Sequence, residues 1–190
     1  MVRPFDLRDL ALIRRLGERG VSLHTVSALV ENVHPLRGAL ISMLVGGEFP
    51  TFVWKPDNGE HAGFLQLRVS NGGPQAFIHY ISPRCDQPLD GENGQHPADS
   101  LHRPNAHAAW LALLDDAVAE VGRRGIHHVI AETDERGPEL PVLRRSGFAV
   151  YTRQDIWSVA ASQLAGGRAL GPVIGRRRAP DVLALSLIHI

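Results

Sequence analysis

Residues 108–156 restrict what this chain can fold into more than any other stretch. Trp110, Leu113, Leu114, Ala117, Val118 and Val121 recur at the i, i+3, i+4, i+7 spacing of one helix face. Gly122 and Gly125 flank two arginines, which is the chemistry of a helix C-terminus carrying positive charge on its last turn. Residues 128–131 form a short run that reads as a buried strand. Pro138 stands where the first turn of a helix tolerates proline. Leu140, Val142, Leu143 and then Gly147 describe a second, shorter helix, and residues 148–157 resume an extended pattern. Helix, strand, helix, strand, joined by a few residues each, favours neighbouring strands with helices packed on the sheet faces.

The N-terminal part supplies the rest of such a layer. Residues 2–5 are a short strand candidate. Asp6 is placed to cap a helix, with Asp9 three residues on in its first turn. Leu7, Leu10, Ile13 and Leu16 trace that helix, which stops at Gly17 and Gly20. Residues 23–33 form a second helical patch, broken at His34 and Pro35. Residues 36–45 suit a third helix by length and period, although their Ile and Val content also suits a strand. From Thr51 the pattern turns to sheet, with strands over 51–55, 61–69 and 75–82. Turn chemistry separates them at residues 56–59 and 70–74. Two short turns followed by a helical crossover predict that these three strands run antiparallel and that the strand at His128 lies parallel to the one at Gln75. Residues 84–105 form a long polar loop with three prolines.

The long helix, the RRGIHHVIAE strand and the short helix closing in LRRSGF resemble the second half of the GNAT superfamily of acetyl-CoA-dependent N-acetyltransferases. The opening RPFDLRDL resembles the first strand and helix of many such domains. The resemblance implies an α/β fold with a mixed sheet, three antiparallel strands followed by helix, strand, helix and strand. It implies transfer of an acetyl group from acetyl-CoA to an amine on a small molecule or peptide. It also places the cofactor's pantetheine arm beside the third strand, at Ile81 and Ser82, and its pyrophosphate at the following helix N-terminus, around Asn105, Ala106, His107 and Ala108. In that window Ala108 stands where the family has its first glycine, and Trp110 stands at the last small position. Leu143 replaces a frequent tyrosine acid, and Arg136 falls near the usual asparagine. These departures support a second expectation, a non-catalytic GNAT-fold binding or scaffold domain beside a catalytic one.

Amine acetylation needs a base for the acceptor proton. Glu132, at a strand end where a cleft would open, is one candidate; an exposed or salt-bridged glutamate is the alternative. His79 is the other candidate base, against a hydrogen-bonded sheet histidine; with Tyr80, one of the pair is expected on each sheet face. His127 and His128, and the loop residues His96, His102 and His107, lack the spacing of a metal site, so no metal is expected. Cys85 has no identifiable activating partner and reads as inert.

Composition narrows the partners. Formal net charge is +0, which gives no global grip on nucleic acid or an anionic membrane. One cysteine excludes an internal disulfide and, with no membrane-spanning run or signal layout, leads to the expectation of a cytoplasmic protein. Within the 190 residues, residues 1–158 are expected to form the domain, 159–184 a linker or the start of a missing segment, and 185–190 a non-native tail. That tail, LSLIHI, can be reverse-translated to a transposon end used as a sequencing adapter. The expectation is therefore that the gene continues differently after about Ala184, with a second GNAT-like domain beyond it. The alternative is a native tail that pairs with the sheet.

Overall fold

The structure, a computed structural model, describes residues 1–30, 34–45, 49–56, 62–69, 73–86, 106–154 and 182–188, the last by their backbone alone. Its elements are β1 (Val2–Pro4), a short 3-10 turn (Leu7–Asp9), α1 (Leu10–Leu16), α2 (Thr25–Val30), α3 (Pro35–Val45), β2 (Thr51–Trp54), β3 (Gly63–Val69) and β4 (Gln75–Ser82). They continue as α4 (Ala106–Arg123), β5 (His128–Asp134), α5 (Glu139–Arg145), β6 (Ala149–Gln154) and β7 (Val182–Ile188). Residues 36–45 are helical, and Pro35 opens the helix in the position where its missing N–H is no loss.

The described strands form one seven-stranded sheet, in the order β1-β2-β3-β4-β5-β7-β6. β1 to β4 are antiparallel neighbours, and β5 lies parallel to β4 with Gln75 opposite His128. The expected mixed sheet is thus the observed one. The turns read at residues 56–59 and 70–74 and most of the loop over 84–105 lie outside the described residues. β7 pairs with β5 from His128↔Ile188 to Asp134↔Val182, and with β6 on its other side. It supplies the hairpin partner for β6 that the sequence pattern did not reveal. The strand starts at Val182, inside the stretch read as linker. Side chains of 182–188 and all of residues 189–190 lie outside the description.

Two local devices set the helix ends. Asp6 accepts from the Arg8 N–H at 3.0 Å, and the Asp9 carboxylate reaches back to the Asp6 N–H at 3.1 Å, a reciprocal capping box. At the ends of α4 and α5, Gly125 and Gly147 adopt φ of +76° and +90°. Ile126 N–H then bonds to Val121 O, and Phe148 N–H to Leu143 O, each at 3.0 Å. These are Schellman closures, which need a residue free of Cβ strain and which fold an apolar side chain back onto the last turn.

The core has two parts. Ala109, Trp110, Leu113, Leu114, Ala117, Val118 and Val121 of α4 pack with Leu65, Ile78 and Ile81 of the sheet and with Val142 and Leu143 of α5. Leu12, Ile13 and Leu16 of α1 and Ala39 of α3 meet Val53, Phe64 and Tyr80 on the opposite face. Trp110 is fully buried, and its indole N–H donates to Pro83 O at 2.7 Å, tying the start of α4 to the end of β4.

Asp9 anchors the N-terminal edge. Fully buried, it accepts from Arg3 at 2.8 Å and Lys55 at 2.9 Å, which joins β1, the capped turn and the end of β2. Burial pushes its carboxyl upward, but the hydrogen bonds from Arg3, Lys55 and the Asp6 N–H outweigh this and hold it below the ordinary aspartate value. Asp9→Asn is therefore expected to cost about 1.5–3 kcal/mol at neutral pH, read by urea unfolding. Because the native value is depressed, this contribution is complete above the ordinary aspartate pKa of about 3.9 and is lost as pH falls through the native value. The difference between wild type and variant should shrink only in that acid range. A difference that stays constant through it would contradict the assignment.

Candidate functional site

A one-residue irregularity creates the site. Gln66 pairs with Tyr80 and the next residue, Leu67, pairs with Ile78, so His79 is an extra residue in β4. Such a bulge bends its strand and sharpens its twist. Beyond it β4 leaves β5: their pairing ends at Phe77 and Ile130, although the strands run on to Ser82 and Asp134. A wedge therefore opens between the C-terminal halves of two parallel neighbours. The bulge also corrects the expectation that His79 and Tyr80 face opposite sides. The Tyr80 hydroxyl donates to Gly17 O at 2.7 Å at the end of α1, and the His79 ring packs edge-on to Phe49 at 5.3 Å beside α3, on the same face.

The two candidate bases stand on the two sides of this wedge. His79 is buried, with its ring 6.4 Å from that of His24. Glu132 is half-buried on β5, and its carboxylate accepts the Thr25 N–H at 2.6 Å, an anion on the first turn of α2. The carboxylate is thus engaged as a helix cap, and Gln154 Nε2 lies 3.4 Å from its other oxygen. His24 Nδ1 and the Ser27 hydroxyl are hydrogen-bonded at 2.7 Å, which closes the same turn.

What lies between the strands is the chain itself. Residues 21–25 cross the wedge and bond to both sides. Val21 and Ile81 exchange both backbone hydrogen bonds, at 2.9 and 3.0 Å. The Ser22 hydroxyl donates to His79 O at 2.9 Å. On the far side, the Glu132 N–H donates to Leu23 O at 2.8 Å, next to the Thr25–Glu132 bond. The Leu23 side chain, 1% exposed, joins the α4 and α5 core. Gly20 permits the close approach: a Cβ there would collide with the Tyr80 ring and stand 2.5 Å from Ile81 O. Sequence reading put Leu23 and His24 in the helical patch over 23–33, whereas α2 begins at Thr25 and these residues are drawn into the wedge instead. The segment's only signal is the alternation Val21-Ser22-Leu23 after a glycine, which is too short to separate from loop.

The other described positions of the expected site lie in β4, α4 and α5. Ile81 places its side chain in the main core and its backbone on Val21; the Ser82 hydroxyl donates to Leu16 O at 2.6 Å. Ala106 is buried, His107 half-buried and Ala108 exposed in the first turn of α4, and Asn105 lies outside the described residues. Trp110 turns into the core instead of lining the helix N-terminus. Leu143, at the position of the family's tyrosine, is also fully buried.

At the end of β4, Arg84 contacts Asp86 at 3.2 Å and Glu139 of α5 at 3.7 Å. Burial, with Glu139 and Asp86 adding negative charge nearby, pushes the Cys85 thiol up to about 12. Among the described residues no group of three His, Cys, Asp or Glu could hold a metal ion, and no helix is long and apolar enough to cross a membrane. A cavity of about 240 Å³ lies apart, between α3 and β2; Phe49 in its wall is its link to His79.

An acyl-CoA arm does not fit the wedge while residues 21–25 occupy it. The backbone groups that β4 would offer at His79 and Ile81 are already bonded to Ser22 and Val21, and Leu23 fills the space behind them.

No protein-family model and no curated protein matches the sequence. Solved structures do match. A Desulfovibrio desulfuricans protein assigned to the GNAT family aligns with a TM-score of 0.59 at 17% identity, over 99% of this chain and 98% of its own. The Escherichia coli ribosomal-protein-S18-alanine N-acetyltransferase gives 0.55 at 12%, over 99% and 92%. A Bacillus subtilis acetyltransferase in complex with CoA gives 0.54 at 12%, over 100% and 98%. The chain has the fold of the GNAT N-acetyltransferases.

Two outcomes check this geometry. Trp110→Ala should cost roughly 3–5 kcal/mol in chemical unfolding, because it empties a core site and frees Pro83 O; a loss under 1 kcal/mol, on the order of a tolerated surface change, would contradict the packing. Cys85 should resist an aromatic disulfide reagent at mildly alkaline pH and react on urea unfolding, since the thiolate is the nucleophile. Rapid labelling of the native protein would contradict its burial.

Proposed function

We propose that this domain is an N-acetyltransferase of the GNAT type, moving an acetyl group from acetyl-CoA to an amine. The observation that carries the reading is the wedge between β4 and β5, opened by the His79 bulge inside a sheet of the order β1-β2-β3-β4-β5-β7-β6. Ligands of open α/β sheets bind beyond the carboxyl ends of parallel strands, and among the described strands β4 and β5 are the parallel pair. Proteins of the same fold include ribosomal-protein-alanine and spermidine N-acetyltransferases, which supports an amine acceptor, small or peptidic. Acetyl-CoA would be the co-substrate, and a second domain in a longer chain belongs to the same proposal.

A second reading has its own observation. Leu23 is buried as deeply as the central core, so the filled wedge is also what a non-catalytic binding or scaffold domain would have. A melting assay separates the two. A ligand at a hundred times its Kd stabilises a protein by roughly 2.7 kcal/mol. Millimolar acetyl-CoA is expected to raise the melting temperature, and free CoA thiol is expected to accumulate when spermidine or a peptide with a free α-amino group is added. No melting shift and no thiol release would favour the scaffold reading.

A further inference from the structure

We infer that residues 21–25 are a removable strap, an internal stand-in for an extended, amide-bearing ligand in the β4/β5 wedge. The inference rests on the transferase reading and names what governs access to its site.

The argument starts from strand edges. Where β4 and β5 part, each turns backbone donors and acceptors into the wedge, and buried groups of this kind must be bonded. Val21 meets the Ile81 N–H and C=O as an antiparallel strand would, and Ser22 caps His79 O. Leu23 accepts the Glu132 N–H, and Thr25 donates to the Glu132 carboxylate. The segment therefore satisfies both lips of the wedge in the manner of an added strand. An arm with secondary amides, pantetheine included, offers the same donor and acceptor pair and fits the same edge by the chemistry of strand addition. Strap and ligand cannot hold the Ile81 N–H and C=O together.

The strap is built to be separable from the helices around it. It joins the end of α1 to the start of α2, and α2 is six residues long. Val21, Ser22 and Thr25 are only half-buried, so the deep attachments are two side chains, Leu23 in the main core and His24 against Phe77 and His79. Gly20 sets the fit, because no side chain is tolerated between the strap and Tyr80. A strap that competes with ligand lowers apparent affinity by the fraction of molecules in which it is out.

Titration calorimetry with acetyl-CoA on wild type, Gly20→Ala and Thr25→Pro tests this, with amide exchange as a second readout. Gly20→Ala pushes the strap off Tyr80. Thr25→Pro removes the N–H that holds Glu132 while occupying a first-turn position that tolerates proline. Both variants are expected to bind acetyl-CoA about tenfold tighter or better than wild type. In saturated wild type, the Val21 and Thr25 amides should lose protection while the Ile81 amide keeps it. If Gly20→Ala does not fold, Thr25→Pro and the exchange pattern carry the test. Equal affinities, with Val21 and Thr25 protected as before, overturn the strap and leave the transferase reading standing. No binding by any folded protein of the three overturns the transferase reading, and the strap falls with it.

Discussion

The extra residue at His79 is the constraint on which the rest of this structure depends. It bends β4 away from β5 after three paired residues, and every later feature answers that separation. Parting two parallel strands inside a sheet leaves polar backbone exposed on both, at a cost too large to leave unmet. Here the cost is offset from within, by five contiguous residues that reach from Ile81 on one strand to Glu132 on the other. Tyr80, turned to the α1 face by the same bulge, then fixes the approach of that segment by bonding to Gly17 O and the Gly20 N–H.

Fold and chemistry consequently carry different amounts of information. The strand order, the parallel pair and the crossover helix are those of the GNAT N-acetyltransferases. The groups at the wedge are committed to structure: Glu132 to the first turn of α2, the Ser82 hydroxyl to Leu16 O, and the Ile81 backbone to Val21. A domain can hold this architecture while its cleft is closed, because the sheet and the two cores do not require the wedge to be empty.

Much of this fold was legible in the sequence where the determinants are local. Asp6 reads as a helix cap with Asp9 in its first turn, and the two close as a capping box; Gly125 and Gly147 announce helix ends that close on Ile126 and Phe148. The α4 stripe from Trp110 to Val121 reads as core and is core. The legible part stops where a residue's role depends on distant partners. His79 looks like an ordinary strand residue, since a bulge is a relation between two strands and not a property of one. Val21-Ser22-Leu23 carries no period long enough to register, and its strand-like bonding exists because β4 has already turned away. The β7 strand was read only as an alternative, a tail pairing with the sheet, for a similar reason: its pairing with β5 and β6 comes from long-range register, after a stretch of Ala, Gly, Arg and Pro with no pattern of its own.

The central claim is that the chain's own residues bond across the parted strands. The most direct measurement is through-hydrogen-bond coupling in the NMR spectrum of the isotopically labelled, ligand-free protein. Couplings from Val21 N to the Ile81 carbonyl and from Glu132 N to the Leu23 carbonyl are expected, with slow exchange of both amides. Rapid exchange at Val21 and Glu132, with neither coupling present, would contradict the account and show the wedge standing open.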